Sequence, residues 1–121
     1  MLSIATFNLC NLGADTSPDR LARLGRIIAH DLGGPAILAA QEIMAQTPAQ
    51  ADGEVPADTA YQALIAAICA AGGPRYAFRE IPPLANRDGG MAGANIRTGL
   101  LFDPVQLHFV ERGHAGPEDH T

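Results

Sequence analysis

At 121 residues the chain has room for one domain and one modest core, burying about 65% of the surface its unfolded form exposes. Hydrophobic residues make up 47%, which excludes disorder as the state of the whole chain, and no apolar run approaches the ~20 residues of a membrane span. Eight arginines, no lysine and thirteen carboxylates leave a net charge of −5, so long-range attraction to nucleic acid is not a source of affinity. A phosphate substrate therefore needs a local cationic patch or a bound divalent ion. An acidic site that holds such an ion is compatible with this balance.

Residues 2–9 are apolar and suited to a strand, which ends where Asn8, Asn11 and Gly13 favour a turn. Ser17, Pro18 and Asp19 then form a helix start: a cap, a proline at the first position and a carboxylate at the positive helix end. Leu21, Leu24, Ile28 and Leu32 recur at spacings of three and four, and Gly33-Gly34-Pro35 stops the helix. Arg20, Arg23 and Arg26 fall between the apolar positions, where they are expected to be solvated. Residues 36–40 read as a buried strand running into Gln41-Glu42. Strand, helix and strand with tight connections make one βαβ unit, whose two strands run parallel. The carboxyl ends of parallel strands lie on one sheet edge, so Asn8 and Glu42 are expected to converge.

Residues 47–57 read as a loop. A second amphipathic helix begins near Asp58, buries Tyr61, Leu64, Ile65 and Ile68, and ends at Gly72-Gly73-Pro74. Residues 75–81 are strand-like, 82–95 a glycine-rich loop and 96–102 a strand. Asp103-Pro104 then turns the chain into residues 105–110, the expected hairpin partner. The order is βαβαβββ, a layered α/β arrangement. Residues 113–121 form a polar tail expected to fray, leaving 1–112 as the folded unit.

Cys10 and Cys69 sit in neither a CxxC nor a zinc spacing and read as two reduced thiols, with a single disulfide as the alternative. The first residues lack a basic segment before an apolar stretch, so no signal peptide is visible. The product is expected in the cytoplasm if Met1 is the true start. Phosphate-binding and nucleophile-elbow signatures are absent from the sequence. Asn8 alone reads as a turn residue and Glu42 alone as a solvated strand end. Together, at one rim, they offer an amide oxygen and a carboxylate of the kind that holds magnesium with waters and phosphate.

The text around these residues resembles the endonuclease/exonuclease/phosphatase superfamily. Ile4-Ala5-Thr6-Phe7-Asn8 is similar to its opening strand, which runs into "FN" or "WN", and Ala36 to Ile43 to its second strand, which closes on "QE". Asp88-Gly89-Gly90, Gly93 and the stretch from Asn95 to Phe102 resemble a loop and strand of the bacterial extracellular-nuclease-like branch. The similarity runs from Leu2 to Val110. It implies that these residues are half of a four-layer α/β sandwich, the N-terminal part of a metal-dependent phosphodiesterase acting on nucleic acid. Glu42 would be the direct Mg2+ or Mn2+ ligand, Asn8 would support the ion or the phosphate, and Asp88, Asn95 and Arg97 would stand on the substrate side of the cleft. For Arg97 the alternative is a strand residue paired with a neighbouring carboxylate, and for Asp88 a turn residue.

The superfamily's C-terminal histidine and aspartate motifs, which activate water and close the site, are absent from this sequence, since His30, His108, His114 and His120 lack their surroundings. The chain is thus expected to be inactive alone, completed by a missing C-terminal half or by self-association. Sphingomyelinase-type and phosphatase branches share the fold, so a lipid or inositol phosphate substrate is an alternative, and the resemblance leaves a secreted parent protein open. A non-catalytic α/β module that binds a partner through an exposed sheet is the alternative from a different class. No membrane association is expected.

Overall fold

The computed structural model describes residues 1–45, 55–85, 95–113 and Gly116. The fold is α/β: strands β1 (Ile4–Leu12), β2 (Ile37–Ile43), β3 (Ala77–Glu80) and β4 (Arg97–Phe102), with helices α1 (Pro18–Arg26) and α2 (Asp58–Ala70). The strands form one mixed sheet in the order β1-β2-β4-β3. β1 and β2 are parallel, as a βαβ unit requires, and β4 runs antiparallel to both β2 and β3.

Alternation sorts the strands into two faces. Leu9, Leu38, Ala40 and Leu101 join Leu24 and Ile28 of the first helical segment and Tyr61, Leu64 and Ile68 of α2 in one core, so both helices cover the same face. Full burial of each large aliphatic side chain contributes roughly 1.5–3 kcal/mol. Ile4, Thr6 and Asn8 point the other way, and Ile4 is 73% exposed.

Helix α1 starts as its sequence dictates: the Ser17 hydroxyl accepts from the Arg20 N–H at 3.3 Å, with Pro18 in the first turn. After Arg26 the coil widens into a π-helical stretch, Ile27–Asp31, in which the Leu32 N–H reaches back to the Ile27 carbonyl at 2.9 Å. Gly33 and Gly34 both take positive φ, 70° and 59°, which ends the helix and sends the chain back toward β2. The two helices meet closely at Gly25, where a Cβ would lie 2.4 Å from the Ala67 carbonyl oxygen.

The expected hairpin after β4 does not form. Pro104, Val105 and Gln106 make a turn closed by Gln106 and Leu107 N–H groups on the Asp103 carbonyl, and residues 107–110 are not a strand. The physical reason is that β4 has no free edge, because β2 pairs with one side and β3 with the other. The segment instead brings Phe109 onto Phe102, ring centroids 6.0 Å apart, on the sheet face away from the helices. The described residues thus carry four strands rather than five. The tail beyond Gly113 lies, apart from Gly116, outside them.

Candidate functional site

Two irregularities at the carboxyl ends of β1 and β2 build the rim. In β1 the register passes from Asn8↔Gln41 to Leu12↔Ile43, so four residues of β1 advance against two of β2. In β2 it passes from Ala40↔Gly99 to Ile43↔Arg97, three residues against two. Each shift bulges one strand against its neighbour, and such bulges re-aim side chains at strand ends. Their marks are left-handed residues: Cys10 at φ 50°, Asn11 at 59° and Glu42 at 60°. Asparagine tolerates that region, but cysteine and glutamate do so rarely, at roughly 1–3 kcal/mol each.

Hydrogen bonds hold this strained geometry. The Asn8 carboxamide N–H donates to Glu42 Oε1 at 2.9 Å, and the Asn11 backbone N–H donates to Glu42 Oε2 at 3.2 Å. Asn8 Oδ1 accepts from the Cys10 N–H at 2.8 Å, which locks the amide orientation through a local turn. Beyond the bulges the Met44 N–H rejoins the Leu12 carbonyl at 2.8 Å. The Gln41 carboxamide donates to Thr6 Oγ1 at 2.8 Å and to the Ala39 carbonyl at 3.1 Å. Glu42 is half-buried and Asn8 exposed, so the carboxylate is accessible.

The donor set suits a hard divalent cation in one respect. Each Glu42 oxygen accepts one hydrogen bond and keeps further lone-pair capacity, on an aim fixed by two neutral donors. Asn8 Oδ1 accepts from the Cys10 N–H and keeps its second lone pair, while the Asn8 carboxamide N–H holds the Glu42 carboxylate. Among the described residues no group of three or more His, Cys, Asp or Glu surrounds a single point. One carboxylate with waters and substrate oxygens is a magnesium-type site, weak by itself.

Arg97 and Asn95 do not join this hydrogen-bonded group. Arg97 is buried, its side chain 3% exposed, and pairs with Glu80 at 3.3 Å. Its guanidinium also donates to the Val55 carbonyl and, at 3.3 and 3.1 Å, to the Asn95 carbonyl. Tyr61 donates to the second Glu80 oxygen at 2.8 Å. Pairing with a neighbouring carboxylate is therefore the geometry present at Arg97, and the fork that would grip a phosphate is occupied by the protein itself. Asn95 is buried at φ 44° and supplies its carbonyl to that network. Asp88 lies outside the described residues.

Two participants escaped the sequence. The Asn11 contribution is a backbone N–H, invisible to any residue pattern. Arg20, expected in solvent, turns its guanidinium onto the Leu9 and Cys10 carbonyls. Away from the rim, a cleft of about 440 Å³ opens on the outer sheet face between Ala39, Arg79, Thr98, Leu100, Phe109 and Arg112.

No protein-family model matches the chain, and neither a curated protein nor a solved structure does.

Proposed function

We propose that the chain is the N-terminal part of a divalent-metal-dependent phosphodiesterase that resembles the endonuclease/exonuclease/phosphatase superfamily, with nucleic acid as its substrate. The observation that carries this reading is the Asn8–Glu42 clasp at the carboxyl ends of two parallel strands, where open α/β sheets bind ligands. A carboxylate oriented by two donors, on a backbone held at φ 60°, is expensive geometry for a plain strand end. In this reading Glu42 binds the ion, and Asn8 and the Asn11 N–H hold its carboxylate in place. A magnesium or manganese ion there would polarise a phosphoryl oxygen and stabilise the leaving oxyanion. Water activation and leaving-group protonation belong to the C-terminal motifs that this sequence lacks.

Exposed apolar side chains also support the alternative of a partner-binding module, since Ile4 of β1 and Val105 and Val110 beyond β4 are exposed at 73%, 92% and 67%. Oligonucleotide binding and cleavage by the full chain separate the readings. Single-stranded DNA is expected to bind weakly, only with Mn2+ or Mg2+ and not to Glu42→Gln, and turnover is expected to be negligible. Each missing general acid or base removes ~10²–10⁴-fold. Binding that needs no metal, or that survives Glu42→Gln, overturns the phosphodiesterase reading. Robust turnover that Glu42→Ala abolishes overturns the view that the site is incomplete.

A further inference from the structure

Arg20 does something its place in the sequence does not announce. It sits in the first turn of α1, with its own N–H fixed on Ser17 Oγ. From there Nη2 donates to two consecutive carbonyls of β1, Leu9 and Cys10, the second at 2.6 Å. Consecutive carbonyls of a regular strand point to opposite sides, so one nitrogen reaches both only where the strand is bent. The bend is the bulge, in which residues 9–11 have no Cα partner in β2. Polar groups that leave a ladder need other partners. Arg23 and Arg26 on the same helix are exposed, whereas Arg20 is half-buried.

We propose that Arg20 is the positioning residue of the rim, holding the Cys10–Asn11 bulge in the left-handed conformation that presents Asn8 and the Asn11 N–H to Glu42. The Cys10 residue is gripped at both ends, its N–H by Asn8 Oδ1 and its carbonyl by Arg20. Fixing Cys10 fixes the direction of the next residue, whose N–H donates to Glu42 Oε2. A charged donor strengthens such bonds roughly twofold over a neutral one. The planar fork also loses less freedom per bond than a lysine ammonium. The proposal deepens the metal-site reading and rests on it only in taking the Glu42 carboxylate as the group the rim serves.

Amide-detected NMR of the full chain tests it, comparing wild type with Arg20→Met and Arg20→Lys and using Mn2+ alone as the probe. In the wild type, Arg20 guanidinium protons are expected to exchange with water more slowly than those of Arg23 and Arg26. Cys10 and Asn11 are expected to show the strong intraresidue amide–Hα contacts of positive φ. Arg20→Met is expected to lose those contacts and to bind Mn2+ about tenfold more weakly, as removal of an outer-shell partner does. Arg20→Lys is expected to recover part of both, while the signals of buried Leu24 and Ile28 stay in place and report an intact α1. Positive φ retained at Cys10 and Asn11 in Arg20→Met overturns the proposal. So does Arg20 exchange as fast as that of Arg23 in the wild type, a measurement that needs no folded variant. A collapsed bulge with unchanged Mn2+ affinity overturns the link to Glu42. If the wild type binds no Mn2+ at all, the metal reading fails instead, and the torsions and guanidinium exchange still decide the role of Arg20.

Discussion

Glu42 and Arg97 are both charged residues near the meeting of β2 and β4, yet they have opposite surroundings. Glu42 is accessible and held by neutral donors, whereas Arg97 and Glu80 form a desolvated pair with side chains 3% and 9% exposed. Removing one partner of a buried pair strands the other, at about 3–5 kcal/mol. Arg97→Met is therefore expected to lower stability by about 3 kcal/mol or more in urea denaturation. A guanidinium reserved for phosphate would leave stability within ~0.5 kcal/mol of wild type. The two buried tyrosines set the alkaline limit. Burial, and then the Asp103 charge, pushes Tyr76 from 10.0 up to about 12, while its hydroxyl donates to the Pro35 carbonyl at 2.6 Å. Burial and the bond to Glu80 push Tyr61 up further still. The folded state keeps these protons after the unfolded chain has begun to release them. Stability is thus full below about pH 10 and falls as pH rises from there toward about 12, the reverse of the carboxylate case. Denaturation midpoints flat from about pH 9 to 11 would contradict this.

Among the elements, the helix pair offers a case where local propensity and packing disagree. Alanine at position 25 would gain about 1 kcal/mol of helix propensity over glycine. Its Cβ would stand 2.4 Å from the Ala67 carbonyl oxygen, and a backbone atom cannot rotate aside. Overpacking of this kind costs about 1–3 kcal/mol. Gly25→Ala is expected to be net destabilising in thermal denaturation, and a raised midpoint would show that α1 and α2 do not meet as described. Both helix starts, both glycine-proline stops and the parallel pairing of β1 with β2 were legible, because caps, breakers and apolar spacing are local. The hairpin expected at residues 105–110 was not, since a turn after a strand reads the same whether or not that strand has a free edge. Pairing of β4 with β2 across more than fifty residues decided it. The bulges were equally hidden, because register is settled between strands.

For the whole molecule, the sheet gathers one carboxylate and its donors at one rim, with the helices and the core behind it. The convergence of Asn8 and Glu42 could be read from the βαβ order alone, while the backbone donor at Asn11, the Arg20 contacts and the burial of Arg97 required the fold. A site so composed is expected to bind a divalent ion weakly, through Glu42 far more than through Asp88, because magnesium takes most of its ligands from waters and substrate. The proposed role of Glu42 as the ligand at this rim is open to measurement through Mn2+-induced relaxation of assigned amide signals. In the wild type and in Asp88→Asn, broadening is expected to centre on the Asn8 side chain and on residues 8–12, and in Glu42→Gln it is expected to disappear. Broadening around Asn8 that persists unchanged in Glu42→Gln would remove Glu42 from the role of ligand.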